Sequence, residues 1–510
     1  MTESRISNSI SNIYSGLIYK IISLFINFAS RTVFIRILGD GCLGLNGLFT
    51  SMLSIFSLAE LGIGQAITFY MYRPIANKDI KKLSSLIHFY KLCYRIIGMV
   101  ILVIGLCLIP FLPKFINLDL DIGYNINIIY VLYLINTVIT YLFFSYPQTV
   151  LNANQKQYII NKNESIFVII SAITEIITLI ISRNYIIYII IKINIIIIKN
   201  ILLAIKTIKM YPYIIDKDYN KLNKYEVISM FKDVYSIFIV KLSSQLLNST
   251  DNLFISSMFG TVLTGYNSNY LMIINAVYGV LSTIIYSLGG SIGNLYVTET
   301  KTKTEEVFSV LDFINCWISC FCTVCLFQLL NPFISLFWGE KYIFSTLSVA
   351  LMSASFYMVS SLYVLFNFRQ SMGLFRYCIY NQLIAAIINI ILDIVFGKLI
   401  GINGLFLATV IANLCIAIFP YAKNIYQIGF EQPYKKYIFH IIRGYLLCII
   451  SCVIVKLICE VIPISYLGFI VMGIICCIVP NILQVIFLYN SYEFKGALLY
   501  VKKIMNFNKL

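Results

Sequence analysis

Apolar stretches long enough to cross a bilayer recur from one end of this chain to the other, separated by short polar segments. A helix needs about 20 mostly apolar residues to span the hydrocarbon layer, and fourteen such runs can be drawn along the 510 residues. Six fall at about 13–38, 44–72, 87–112, 126–150, 158–181 and 186–205. Six more fall at 234–258, 270–292, 307–330, 345–368, 377–396 and 404–420, with a last pair at 439–459 and 466–488. Only 12% of the side chains are charged and the mean hydropathy is +0.87, whereas a soluble chain would be about 25% charged. The apolar surface exceeds what one aqueous domain could bury. A soluble enzyme, a disordered chain and a nucleic-acid-binding domain are excluded, and the expected fold class is an all-α polytopic membrane protein with 14 transmembrane helices.

Basic residues give an independent reading of topology, because loops facing the cytoplasm hold the Lys and Arg. They gather in alternate loops, as in Arg73, Lys78, Lys81 and Lys82, then Lys206, Lys209, Lys217, Lys221 and Lys224, then Lys423, Lys435 and Lys436. The intervening loops hold only Lys114, Arg183, Lys341 and Lys398. Both termini are therefore expected in the cytoplasm, and the net charge of +16 reports inner loops rather than an anionic partner. The polar first residues precede no small-residue cleavage site, so the first span is expected to act as its own signal. Fourteen cysteines, mainly in apolar runs, and two histidines suggest neither a metal cage nor a disulfide framework. No cofactor and no catalytic motif is expected.

The first and seventh spans repeat one another. A constant shift of 221 pairs Tyr14 with Tyr235, Ser15 with Ser236, Ile18 with Ile239, Lys20 with Lys241 and Ser23 with Ser244. It also pairs Asn27 with Asn248, Gly39 with Gly260, Gly44 with Gly265 and Asn46 with Asn267. Six spans separate the copies, so both insert in the same direction, and the expected architecture is two parallel six-helix repeats around a central cavity. The corresponding organisation is a first lobe at 1–210, a cytoplasmic linker at 211–228, a second lobe at 229–425, and helices thirteen and fourteen with a cytoplasmic tail at 426–510.

Polar stripes on these spans carry the candidate chemistry. Lys241, Ser244, Gln245, Asn248, Asp251 and Asn252 fall on one helical face, and Lys20, Ser23, Asn27, Ser30 and Arg31 form a matching stripe. A charge near a helix centre costs about 2.5–3.5 kcal/mol on insertion scales, so these faces are expected to line a wet cavity or to bond to each other. Lys192, Lys199 and Lys206 recur every seven residues, a third stripe along one face of the sixth span. Glu60, Asp251 and Asp393 are candidates for coupling or ion pairing, Glu60 and Asp393 being isolated acids in apolar runs. His88 and His440 are expected in structural or headgroup roles, and Asp119-x-Asp121 is a lone acidic pair in the longest outer loop.

The stretch from Leu38 to Asp79, beginning LGDGCLGLNGLF, resembles the corresponding part of the Wzx-like polysaccharide flippases, the polysaccharide-transporter branch of the MOP (MATE-like) superfamily. The resemblance continues in STDNLFISSMFG from Ser249, PFISLFWGEKY from Pro332 and MGLFRYCIYNQ from Met372, and covers nearly the whole chain. It implies alternating-access transfer of undecaprenyl-diphosphate-linked oligosaccharide units across the bacterial cytoplasmic membrane for O-antigen, capsule or exopolysaccharide synthesis. Lys20, Asn27, Arg31, Lys192, Lys199, Lys241, Gln245 and Asn248 are then the expected substrate contacts, and a polymerase and other assembly proteins the expected partners. The resemblance extends to the sister peptidoglycan-precursor flippases, which use basic residues on their first, second and eighth helices, and the eighth span here has none. A MATE-type drug or metabolite antiporter is the alternative. A membrane glycosyltransferase or polymerase is a remoter one, since the outer loops are too short for a catalytic domain.

Overall fold

A computed structural model describes the chain apart from residues 1, 57–62, 115, 117–122, 144–145, 155, 217–218, 221, 287, 373, 375–378, 418–419 and 499–510. Glu60, Asp119 and Asp121 therefore lie outside the described residues, as do the side chains of Lys241 and Asn248. The elements are α1 (Thr2–Phe56), α2 (Ile63–Asn77), α3 (Ile80–Cys107), α4 (Ile126–Phe143), α5 (Tyr146–Ala153), α6 (Gln157–Ser182), α7 (Tyr185–Met210), α8 (Lys224–Phe259) and α9 (Thr261–Tyr286). They continue with α10 (Gly289–Thr298), α11 (Lys301–Trp338), α12 (Thr346–Ser360), α13 (Tyr363–Ser371), α14 (Ile379–Ile400), α15 (Ile402–Ala417), α16 (Pro420–Asn424), a π-helical turn at Ile425–Phe430, α17 (Lys435–Cys459) and α18 (Tyr466–Leu488). Among the described residues ten helices are long and apolar enough to cross a membrane, and eleven if the bent pair α4 and α5 counts as one span.

Local sequence explains where these helices begin and break. The Asn184 side chain accepts the N–H groups of Ile186 and Ile187 to start α7, and Asn223 with Glu226 forms a capping box that starts α8. Glu226 also accepts from Lys82 Nζ at 2.6 Å, and that ammonium holds its carboxyl below the usual carboxylate range. Continuous helix is interrupted at Gly39, whose φ of 77° and ψ of −172° belong to a region only glycine occupies cheaply. Its repeat partner Gly260, at φ 101°, ends α8 in the same way. The break between α12 and α13 is stabilised differently: the Asn315 amide on α11 donates to the carbonyls of Ser360 at 2.9 Å and Ser361 at 2.8 Å, which the broken ladder leaves without helical donors.

The chain divides into two compact units, Met1–Asn269 and Tyr270–Leu510, the boundary falling inside α9. In the first unit α1 packs on α6 and α8, α3 on α4, and α6 on α7. In the second, α11 packs against α12, α17 and α18, and α15 lies against α12 and α14. The exposed large side chains of α17 and α18, among them Phe439, Ile449, Leu457, Ile470 and Ile482, form the apolar coat that lipid contact requires.

Candidate functional site

The first unit holds a buried polar cluster assembled from α1, α4, α6, α7 and α9. At its centre Arg31 Nε donates to Asn269 Oδ1 at 2.9 Å, while Arg31 Nη2 and Asn269 Nδ2 find no hydrogen-bond partner. The guanidinium lies within electrostatic reach of Tyr133, Tyr185 and Tyr188. Tyr133 donates to Asn46 Oδ1 and lies 3.0 Å from the Tyr185 hydroxyl. Tyr188 donates to Glu175 Oε2 at 3.0 Å, and Ser171 donates to the other oxygen of the same carboxylate. One turn beyond Arg31, Phe34 packs edge-on against Tyr185 and Tyr188, with ring centroids 5.6 and 5.3 Å apart. That contact fixes the faces of α1 and α7 against each other. Lys192 is half-buried one turn beyond Tyr188, its Nζ 5.8 Å from that ring's centroid, and its charge also reaches Tyr133.

Two cations, one carboxylate, three phenols and two amides thus share one polar interior in an apolar unit. Arg31 offers a fork suited to phosphate oxygens, and the tyrosines and amides offer the mixed donors and acceptors that sugar hydroxyls need.

The other expected contacts are distributed more widely. Lys20 and Asn27 are exposed on α1. Lys199 is engaged by Glu164 on α6, with Nζ 2.9 and 3.0 Å from its two oxygens, so the stripe of lysines reaches the cluster only through Lys192. Gln245 Nε2 donates to Ser54 Oγ at 2.8 Å and Asn252 Nδ2 to Ser51 Oγ at 2.7 Å, tying the polar face of α8 to the second half of α1. Asp251 is half-buried on α8. In the second unit Asp393 is fully buried. Asn389 Nδ2 lies 3.4 Å from both Asp393 Oδ1 and Thr409 Oγ1. A cavity of about 460 Å³ in that unit is lined by Tyr286, Gly289, Asn367, Gln370 and Ser371. His88 stacks on Tyr219 at 4.0 Å. No described cysteine is in a disulfide.

No family model and no curated protein matches the sequence. Solved structures do match. The lipid II flippase MurJ, in an inward closed conformation, aligns over 95% of this chain and 99% of its own with a TM-score of 0.65 at 18% identity. The fold is that of MurJ and the MATE transporters. A MATE transporter of Vibrio cholerae aligns over 84% of this chain and 99% of its own (TM-score 0.57, 15% identity). A multidrug-resistance MATE transporter of the MOP superfamily, inward-facing, aligns over 82% and 98% (TM-score 0.55, 14% identity). These neighbours are flippases and transporters rather than enzymes, and the chain shares their multi-pass helical architecture.

Proposed function

We propose that the chain is a flippase carrying undecaprenyl-diphosphate-linked oligosaccharide units across the bacterial cytoplasmic membrane by alternating access, for O-antigen, capsule or exopolysaccharide assembly. The observation that carries this reading is the pair Arg31 and Lys192 held among phenols and amides inside an apolar unit. A diphosphate pairs with the cations, sugar hydroxyls bond to the tyrosines and amides, and the polyprenyl tail stays in lipid. Lys20 and Lys241 serve as the cationic mouth, and Asn27, Gln245 and Asn248 as amide contacts along the path. With an inside-negative potential, moving the diphosphate outward is favoured by about 2.3 kcal/mol per charge per 100 mV. The test is transfer of a fluorescent lipid-linked oligosaccharide in proteoliposomes, scored by its exposure to an external glycosidase. Failure of well-folded protein to transfer it, with movement of a cationic drug instead, would favour the antiporter reading, for which Glu175 in the cluster supplies the cation partner.

The reading includes fourteen spans, lobes at 1–210 and 229–425 joined by a linker, a helix pair at 426–510, and both termini in the cytoplasm. Since α11 alone is about 57 Å long at the usual rise, longer than the hydrocarbon layer is thick, its ends should lie on opposite sides. Cysteine introduced at Lys301 should react with an impermeant label only from the cytoplasm, and at Val262 or Lys341 only from outside. Cytoplasmic labelling at Val262 overturns the topology.

Glu60, Asp251 and Asp393 are the proposed coupling acids. Asp393 is the best placed, because it is fully buried, with the Asn389 amide nitrogen between its Oδ1 and Thr409 Oγ1, a setting suited to a carboxyl that takes up a proton. Asp393→Asn should abolish stimulation of transfer by the coupling gradient while leaving membrane abundance unchanged. Full stimulation in that variant would assign Asp393 to structure.

A further inference from the structure

The second unit holds another buried acid besides Asp393. Asp312, on α11, is 1% exposed; its Oδ1 has no hydrogen-bond partner, and its Oδ2 is 3.5 Å from His440 Nε2 on α17. On the other side of the imidazole, Nδ1 is 3.3 Å from Arg443 Nη2, and that nitrogen is in turn 3.8 Å from Glu493 Oε2. Side-chain exposure is 1% at Asp312, 15% at His440, 38% at Arg443 and 26% at Glu493, so the series leads from the interior of the unit to a partly exposed ion pair.

The hydrogen-bonding roles follow from the end of the series. A guanidinium can only donate, so His440 Nδ1 accepts, the ring proton sits on Nε2, and Nε2–H points at Asp312. The Cys316 thiol, 4.0 Å from Asp312 Oδ2 and 3.9 Å from the Ser361 carbonyl, completes a set of three ligand atoms within 4.8 Å of one another. A metal on Nε2 would require a proton on Nδ1, facing the guanidinium, and would bring a second positive charge beside Arg443. The arrangement suits a proton better than a cation.

We propose that Asp312 and His440 form a proton-loading site of the transport cycle, holding one dissociable proton between them. The proposal rests on the transporter reading and adds a coupling site to it. A bare carboxylate at this depth is costly, and Arg443 opposes a lasting imidazolium. Loading therefore ends with the proton on the acid: once Arg443 turns toward Glu493, Nδ1 takes a proton from the water side, and as that N–H bond forms the Nε2–H bond breaks and an O–H bond forms on Asp312, leaving His440 neutral with its proton on Nδ1. The other groups facing the pair are the phenols of Tyr357 on α12, Tyr426 in the π-helical turn, and Tyr437 and Tyr445 on α17, together with the Cys316 thiol. Phenols and thiols ordinarily ionise above neutral pH. Glu305 lies beyond Tyr426. Neutral Asp312 lets α11 and α17 stay packed, and the ionised acid favours a state that admits water between them, which links proton binding to the movement of these helices.

The experiment uses the purified full chain. Infrared difference spectra across the range in which histidine titrates should show a protonated-carboxyl band that disappears in Asp312→Asn, returns in Asp312→Glu, and titrates at a different pH in His440→Gln. Cys316→Ser should keep it. In proteoliposomes, the several-fold stimulation of transfer by an imposed proton gradient should be lost in Asp312→Asn. A band unaltered in Asp312→Asn, or equimolar zinc uptake that requires Cys316, overturns the proposal. Should the Asn variant fail to fold, an unshifted titration in His440→Gln overturns it as well. A wild-type chain that shows the band but moves no lipid-linked glycan refutes the flippase reading and leaves the proton site standing.

Discussion

Arg31→Gln is expected to slow transfer of lipid-linked oligosaccharide by roughly 30-fold or more while leaving the thermal midpoint of the protein unchanged or raised. The two halves of that expectation come from the same geometry. Removing one partner of a desolvated charge contact costs about 2–5 kcal/mol, and at about 1.4 kcal/mol per decade the lower bound corresponds to that factor. In the resting protein, however, the guanidinium has only the neutral Asn269 and the phenols around it, and Nη2 bonds to nothing. A half-satisfied cation in an apolar unit costs stability rather than supplying it, so its replacement by a neutral amide should not loosen the fold. Arg31→Lys should recover part of the transfer, because it keeps the charge and loses the two-pronged geometry. Lys192→Gln should show the same split, more weakly, since that side chain is only half-buried. Proteoliposome transfer and differential scanning of the same preparations would measure both halves. Normal transfer by an Arg31→Gln protein of lowered midpoint would make Arg31 a structural donor and remove the main support for the proposed substrate site.

The helices, the break at Gly39 and the stripe bearing Arg31 were legible in the sequence because each is a local pattern: an apolar run, a repeated glycine, a 3.6-residue period. The cluster as a whole was not. Tyr133, Tyr185, Tyr188 and Asn269 come from three further helices, and tyrosines are so common in this chain, 38 in all, that none stands out. Glu175 is different. It meets the criterion that singled out Glu60 and Asp393, an acid in an apolar run, as does Asp312, and Ser171 one turn earlier on the same face was a further sign of a polar interior. Lys199 illustrates the converse limit. Its spacing from Lys192 places both on one face, but periodicity along one helix cannot show that Glu164 on the neighbouring helix waits for one of them.

Gly44→Leu is expected to prevent the chain from accumulating as folded protein, with a drop of about tenfold or more in monodisperse material, whereas Gly473→Leu should be tolerated. A Cβ built on Gly44 would lie 2.2 Å from the Thr261 carbonyl oxygen, and on Gly473 it would meet nothing within 4 Å. Overpacking a core costs about 1–3 kcal/mol when side chains can yield; here the obstacle is backbone, so α1 and α9 would have to separate. Without a hydrophobic driving force between helices in lipid, such close approach at small residues is what holds them. Gly265 faces the same contact from the other side, its Cβ position 2.8 Å from Gly44 N. Glycines 44 and 265 are also partners under the shift of 221, and if a two-fold relates the proposed repeats, two equivalent positions touch only where that axis passes between them. On the parallel-repeat reading, Gly44→Ala and Gly265→Ala should both destabilise, Gly44→Ala more because its obstacle is nearer, and the double variant should cost less than the sum because one separation of α1 from α9 relieves both overlaps. Full additivity, or a neutral Gly265→Ala, would count against an axis between them.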